Sequence, residues 1–152
     1  MSKHTRHQSS APRSILVCVT GQRDCDRLIR AGKTLADEKN LPMQVLCVLP
    51  VAAAGKALCD ELEYLRSTAR DHQADMNIYF SDNAAETAAE VARAHNAVII
   101  FTGMAAEPIN GFIDCLRRAL PRIPIAMVDK QGLIYRMDPQ EMTRSRRSSP
   151  AR

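Results

Sequence analysis

The chain has 152 residues, of which 45% are hydrophobic, 25% charged and 4% aromatic. These proportions suit a globular fold with one core and exclude wholesale disorder of the middle of the chain. No apolar run approaches the roughly 18 to 20 residues of a bilayer-spanning helix. The N-terminus, with Lys3, His4, Arg6 and His7, lacks the apolar stretch of a secretory leader, so a cytoplasmic protein is expected.

The net charge of +4 sits at the ends. Residues 1–14 carry Lys3, Arg6 and Arg13 with no acid, and residues 139–152 carry Arg144, Arg146, Arg147 and Arg152 against Glu141, leaving 15–138 at −2. Residues 1–13 and 139–152 therefore read as disordered basic tails flanking one domain at 14–138. A mildly acidic body offers no groove to continue a polyanion contact, so neither specific nucleic acid nor membrane is expected as a partner.

In chain order, residues 14–19 (SILVCV) form a continuous apolar run closed by Thr20 and Gly21, the pattern of a strand buried on both faces. A helix follows over about 24–39, with Cys25, Leu28, Ile29, Gly32, Leu35 and Ala36 inward and Arg27, Arg30, Asp37 and Glu38 outward. Residues 43–49 are a second strand, 55–74 a second helix and 77–80 a short third strand. Asn83 caps a third helix, with Glu86 three residues on as in a capping box and His95 on its inner face. Residues 97–102 form the fourth strand, Asn110 opens a fourth helix that ends at Pro121, and residues 123–128 form the fifth strand. Lys130, Gln131 and Gly132 then turn the chain into a hairpin arm over 133–137.

This alternation predicts an α/β three-layer sandwich, with helices covering both faces of a parallel sheet. Ligands of such sheets bind beyond the carboxyl ends of the strands. That rim carries no G-x-G-x-x-G after the first strand, no G-x4-G-K-[ST] and no G-x-S-x-G. Asp82 and Asp129 stand alone there and read as turn formers. His95 reads as a helix-end cation and His72 as a helix-surface residue. Cys18, Cys25, Cys47, Cys59 and Cys115 contain no C-x2-C pair and read as buried reduced thiols, and no metal site is expected. No catalytic constellation emerges, so the chain is read as a non-enzyme.

The order of elements over about 14–129 resembles the universal stress protein superfamily. ILVCVTG at 15–21, DRLIRAG at 26–32, AEVARAHN at 89–96 and FIDCLRRA at 112–119 are particularly similar to the universal-stress-protein-like domain of potassium-sensor histidine kinases. The resemblance implies a five-stranded parallel sheet of order 3-2-1-4-5, akin to that of the adenine-nucleotide α-hydrolases. It also implies homodimerisation through the last strand and a role in stress response or signalling.

ATP-binding members carry G-x2-G-x9-G-[ST] after the fourth strand. Here Gly103 matches the first glycine, Ala106 stands at the second, and Asn110 and Gly111 fall at the final pair of a shortened loop. The resemblance thus implies a degenerate phosphate loop, with Thr20, Gly21, Val48, Gly103, Asn110 and Gly111 as its vestigial nucleotide site. The expectation is a non-catalytic regulatory module without a cofactor, acting through a homodimer and an unknown protein partner. The alternative is a sensor of ATP, AMP or a cyclic dinucleotide, with Arg23 and Lys56 as the nearest phosphate partners.

Overall fold

A computed structural model describes residues 12–56, 59–104 and 111–139. The expected tails lie outside the described residues except for Pro12, Arg13 and Pro139, as do Ala106 and Asn110. The described elements run β1 (Ser14–Val19), α1 (Asp26–Lys39), β2 (Met43–Leu49), α2 (Asp60–Asp71), β3 (Asp75–Phe80) and α3 (Ala84–Ala94). They continue with β4 (Ala97–Gly103), α4 (Phe112–Ala119), β5 (Ile125–Val128) and β6 (Ile134–Met137).

The sheet has six strands in the order 3-2-1-4-5-6. The first five are parallel, and β6 pairs antiparallel with β5, setting Val128 opposite Ile134 and Ile125 opposite Met137. The expected 3-2-1-4-5 sheet is thus present, and the hairpin arm is its sixth strand. Every residue of β1 is buried because helices cover both faces. Ile15, Val17 and Val19 pack with Leu28, Ile29, Leu62 and Leu65 under α1 and α2. Leu16 and Cys18 pack with Ala88, Val91, Ile100 and Leu116 under α3 and α4. Each fully buried Leu or Ile contributes roughly 1.5–3 kcal/mol over exposure, so the two layers divide the stabilisation that holds the sheet.

Helix α1 approaches the sheet closely at Gly32. A Cβ there would stand 2.5 Å from Val17 Cγ2 and 3.2 Å from Met43 Sδ, so the missing side chain sets how deeply the helix seats. The helix ends at Asn40, which takes the left-handed conformation with φ 57°. The Asn83 carboxamide accepts from the Glu86 backbone N–H at 3.2 Å, the expected N-cap, and donates to Glu86 Oε1 at 3.0 Å, while the Asn83 backbone N–H, which a capping box gives to the glutamate, donates to Ser81 Oγ at 3.0 Å.

The second helix departs from expectation at both ends. After Pro50, residues Val51–Lys56 form a 3-10 turn, and α2 begins only at Asp60, where Asp60, Glu61 and Glu63 complement the positive end of the helix dipole. It stops at Asp71 because Gln73 takes a positive φ of 59° that a helix cannot continue. The third strand consequently starts at Asp75 rather than Asn77. The segment expected as helix from 24 likewise opens with a 3-10 turn, Arg23–Cys25. The fifth strand begins at Ile125, since Pro124 has no N–H to give a ladder. His95 is the half-buried C-cap of α3 rather than an inward-facing helix residue.

Candidate functional site

The carboxyl ends of the parallel strands form one rim. Thr20 and Gly21 follow β1 there, and Gly103 ends the neighbouring β4, so the structure brings these three expected site residues to the point where strand order reverses. Thr20 is exposed, and its Oγ1 shares a hydrogen bond of 3.4 Å with Cys25 Sγ. Gly21 turns toward α2, where a Cβ would meet Leu62 Cδ2 at 3.7 Å and Leu49 Cδ2 at 3.9 Å. Val48 lies one strand further out and packs into the α3/α4 layer, on the opposite sheet face from the cluster containing Leu62. Gly111 is the N-cap of α4 with φ 67°, a left-handed conformation that suits glycine. Asn110 lies outside the described residues.

Sequence reasoning missed the residue that organises this rim, Arg27. It was expected on the outer face of α1, yet its side chain is only 18% exposed. Its Nε donates to the Asp129 carbonyl at 2.7 Å, Nη2 to the Val128 carbonyl at 3.2 Å and Nη1 to the Asp24 carbonyl at 2.8 Å. A Cβ on Gly103 would stand 3.5 Å from its Nη2. The guanidinium therefore lies along the end of β4, fastened to the end of β5. Helical periodicity assigned Arg27 to solvent, and nothing in that pattern registers carbonyls about a hundred residues away. The Asp24 carboxylate, 3.6 Å from Arg27 Nη1 and 3.4 Å from Lys130 Nζ, balances both cations.

Arg23, expected to meet a phosphate, instead lies 4.0 Å from the centroid of the Tyr64 ring, a cation–π contact. The Tyr64 hydroxyl donates to Asp26 Oδ2 at 2.5 Å, and Arg30 Nη2 donates to the same oxygen at 3.1 Å. This network fastens α2 to the opening of α1. Lys56, the other expected phosphate partner, closes the 3-10 turn after β2. Of the two lone rim carboxylates, Asp129 acts as a turn former, as expected, whereas Asp82 reaches across the rim to the turn that follows β2. Asp129 Oδ1 accepts from the Gln131 and Leu133 N–H groups, both at 2.9 Å, and Asp82 Oδ1 accepts from Val51 N–H at 3.1 Å.

Cys18, Cys25 and Cys47 are buried, whereas Cys59 and Cys115 are exposed, correcting the expectation for those two. Cys59 caps α2 from outside its first turn, and Cys115 lies on the outer side of α4, where Arg118 Nη2 approaches its sulfur at 3.7 Å. Burial pushes the Cys18 thiol up to about 12, and repulsion from Cys47 adds to this. Burial likewise raises Cys47 to about 11, with smaller repulsions from Cys25 and Cys59. Both groups are protonated at neutral pH and are poor nucleophiles. Among the described residues, no group of three or more His, Cys, Asp or Glu side chains is placed to hold a metal ion, and no helix is long and apolar enough to cross a membrane.

Several solved structures share this architecture. A universal stress protein in complex with cAMP superposes with a TM-score of 0.60 at 13% identity, covering 79% of this chain and 98% of that one. The fold is that of the universal stress proteins. A universal stress protein from Archaeoglobus fulgidus matches with a TM-score of 0.51 at 14% identity, over 80% of this chain and 93% of that one. The Archaeoglobus fulgidus protein in complex with dAMP matches with a TM-score of 0.51 at 16% identity, over 75% and 96%. No protein-family model and no curated protein sequence matches the chain. At these identities it is the universal-stress-protein fold that is shared.

Proposed function

We propose that this chain is a member of the universal stress protein superfamily, related to the sensor-kinase type. It serves as a regulatory domain in the cytoplasm, performs no catalysis and works through its surfaces. The observation that carries this reading is the outer edge of the sheet, where Leu133, just before β6, and Ile134 and Tyr135 within it are 59%, 51% and 46% exposed. Three consecutive exposed apolar residues leading into an edge strand, with main-chain donors and acceptors beside them, form a surface for another strand. A second copy of this chain is the proposed occupant, paired β6 to β6 about a twofold axis. The engagement of Arg27 with Val128, Asp129 and Asp24 supports the same reading, because the cation nearest Gly103 already has its partners.

Light scattering on the eluting protein at micromolar concentration tests this. The wild type is expected to run as a dimer, and a variant carrying Ile134→Lys and Tyr135→Lys as a monomer. A monomeric wild type removes the proposal of self-association.

The cAMP and dAMP held by proteins of the same fold favour a second reading, an adenine-nucleotide or cyclic-dinucleotide sensor at the Thr20, Gly103 and Gly111 rim. Calorimetric titration with AMP, cAMP, ATP and a cyclic dinucleotide separates the two. Binding absent or in the millimolar range supports the first reading, and micromolar binding lost in Gly103→Val supports the second.

A further inference from the structure

The opposite edge of the sheet carries a feature that neither reading uses. A groove of about 300 Å³ runs between β3 and α3, lined by Tyr79 and Phe80 on the strand and by Thr87, Glu90, Val91 and His95 along one stripe of the helix. Tyr79 and Phe80 are 42% and 39% exposed, large for aromatic side chains beside a core. By strand alternation Asp75 and Asn77 share the sheet face of Tyr79, placing a second carboxylate toward the lower end of the same edge. Arg93, the basic residue of α3, turns away from the groove, its Nη1 meeting the Ala119 carbonyl at 3.4 Å beside α4. Among the described residues the lining includes a carboxylate and an aromatic ring but no Lys or Arg. An ammonium or guanidinium group suits such a lining, since it pairs with Glu90 and stacks on Tyr79.

The chain enters the sheet beside this groove. Ser14 Oγ donates to the His95 carbonyl at 2.7 Å, and Ser14 N–H donates to the Asn96 carbonyl at 3.1 Å. Whatever precedes Ser14 therefore leaves the fold next to His95, a lining residue. Residues 1–11 carry Lys3 and Arg6 with no acid. The edge strand β3 is two strands from β1, roughly 10 Å away at the usual strand spacing. Glu90 lies about 7.5 Å along α3 from His95 at the helical rise. The seven residues from Arg6 to Arg13 reach about 24 Å when extended, ample for both distances.

We propose that the groove between β3 and α3 is the docking site of this chain's own basic N-terminal segment, residues 1–11, with a Lys3 or Arg6 side chain held against Glu90 and the Tyr79 ring. Charge complementarity, the lining and the exit point beside His95 select this occupant.

Zero-length carbodiimide cross-linking of the full-length protein at low salt, followed by peptide mass spectrometry, tests the proposal. Mixing isotopically light and heavy chains separates links within one chain from links between chains. The expected result is a Lys3 link to Glu90 or Asp75 within one chain. That link falls about fivefold in Tyr79→Ala and in 1 M salt, where screening shortens to about 3 Å. Amide spectra of the full-length double variant Lys3→Ser, Arg6→Ser are expected to shift at Tyr79, Phe80, Glu90 and His95. Links spread evenly over surface carboxylates, links between chains, or unshifted groove amides in the double variant would each overturn it.

Discussion

Cys18 sits at the centre of the sheet, where burial holds its thiol at about 12 against 9.0 for an ordinary cysteine. Below pH 9 both the folded and the unfolded chain keep this proton, so the group adds no pH dependence there. Between about 9 and 12 the unfolded chain releases the proton while the folded chain retains it, and stability falls as pH rises, by about 1.4 kcal/mol per pH unit. Cys47 acts in the same direction up to about 11. Urea denaturation of Cys18→Ala between pH 9 and 11 is therefore expected to show a shallower loss of stability than the wild type, by close to one proton. Equal slopes would show that Cys18 ionises normally in the fold. The burial of this residue was legible in its aliphatic neighbours. The exposure of Cys59 and Cys115 was not, because a cysteine carries no polarity pattern that tells a helix's outer face from its inner one.

Most elements follow from periodicity, and their departures have local causes. Strands β1 and β2 begin and end where the apolar runs do, since a strand covered on both faces tolerates few polar residues. Helix α2 is shorter than its pattern because a 3-10 turn precedes it and the left-handed Gln73 follows it. At Gly32 the packing of one element on another rests on a missing methyl group. Gly32→Ala would ordinarily stabilise a helix interior by roughly 0.5–1 kcal/mol. Here the new Cβ meets Val17 Cγ2 at 2.5 Å, a contact within the core. Overpacking of this kind costs typically 1–3 kcal/mol and outweighs the gain, so the urea midpoint is expected to fall with an unchanged slope. A raised midpoint would mean that α1 shifts freely on the sheet.

At the scale of the molecule, Arg27 ties the start of α1 to the end of β5 and the turn into β6. Hydrogen bonds made by a charged donor contribute roughly 1.5–3 kcal/mol, and Arg27→Ala leaves the Val128 and Asp129 carbonyls without that donor. The expected outcome is a loss of stability of about 2 kcal/mol, with faster hydrogen exchange at Gln131 and Leu133, whose amides depend on the Asp129 turn. Lysine does not restore it, because its ammonium cannot reproduce the fork of the guanidinium. Unchanged exchange in Arg27→Ala would reduce the contact to a surface decoration. The same residue shows where the candidate site was unreadable. Thr20 and Gly103 were placed at the rim by strand order, but their neighbour came from a helix whose pattern pointed it outward.

The 3-2-1-4-5 order was implied by a resemblance; what the sequence determined by itself is the alternation of strands and helices and the turn-forming role of Asp129. These depend on near neighbours in the chain, where hydrophobic period and turn chemistry act. The tertiary structure alone decided that Arg27 lies against Gly103, that Arg23 rests on Tyr64, and that the chain enters the sheet beside the groove of Tyr79 and Glu90. Those contacts join residues tens of positions apart, and their energies exist only once the sheet has brought the strand ends together.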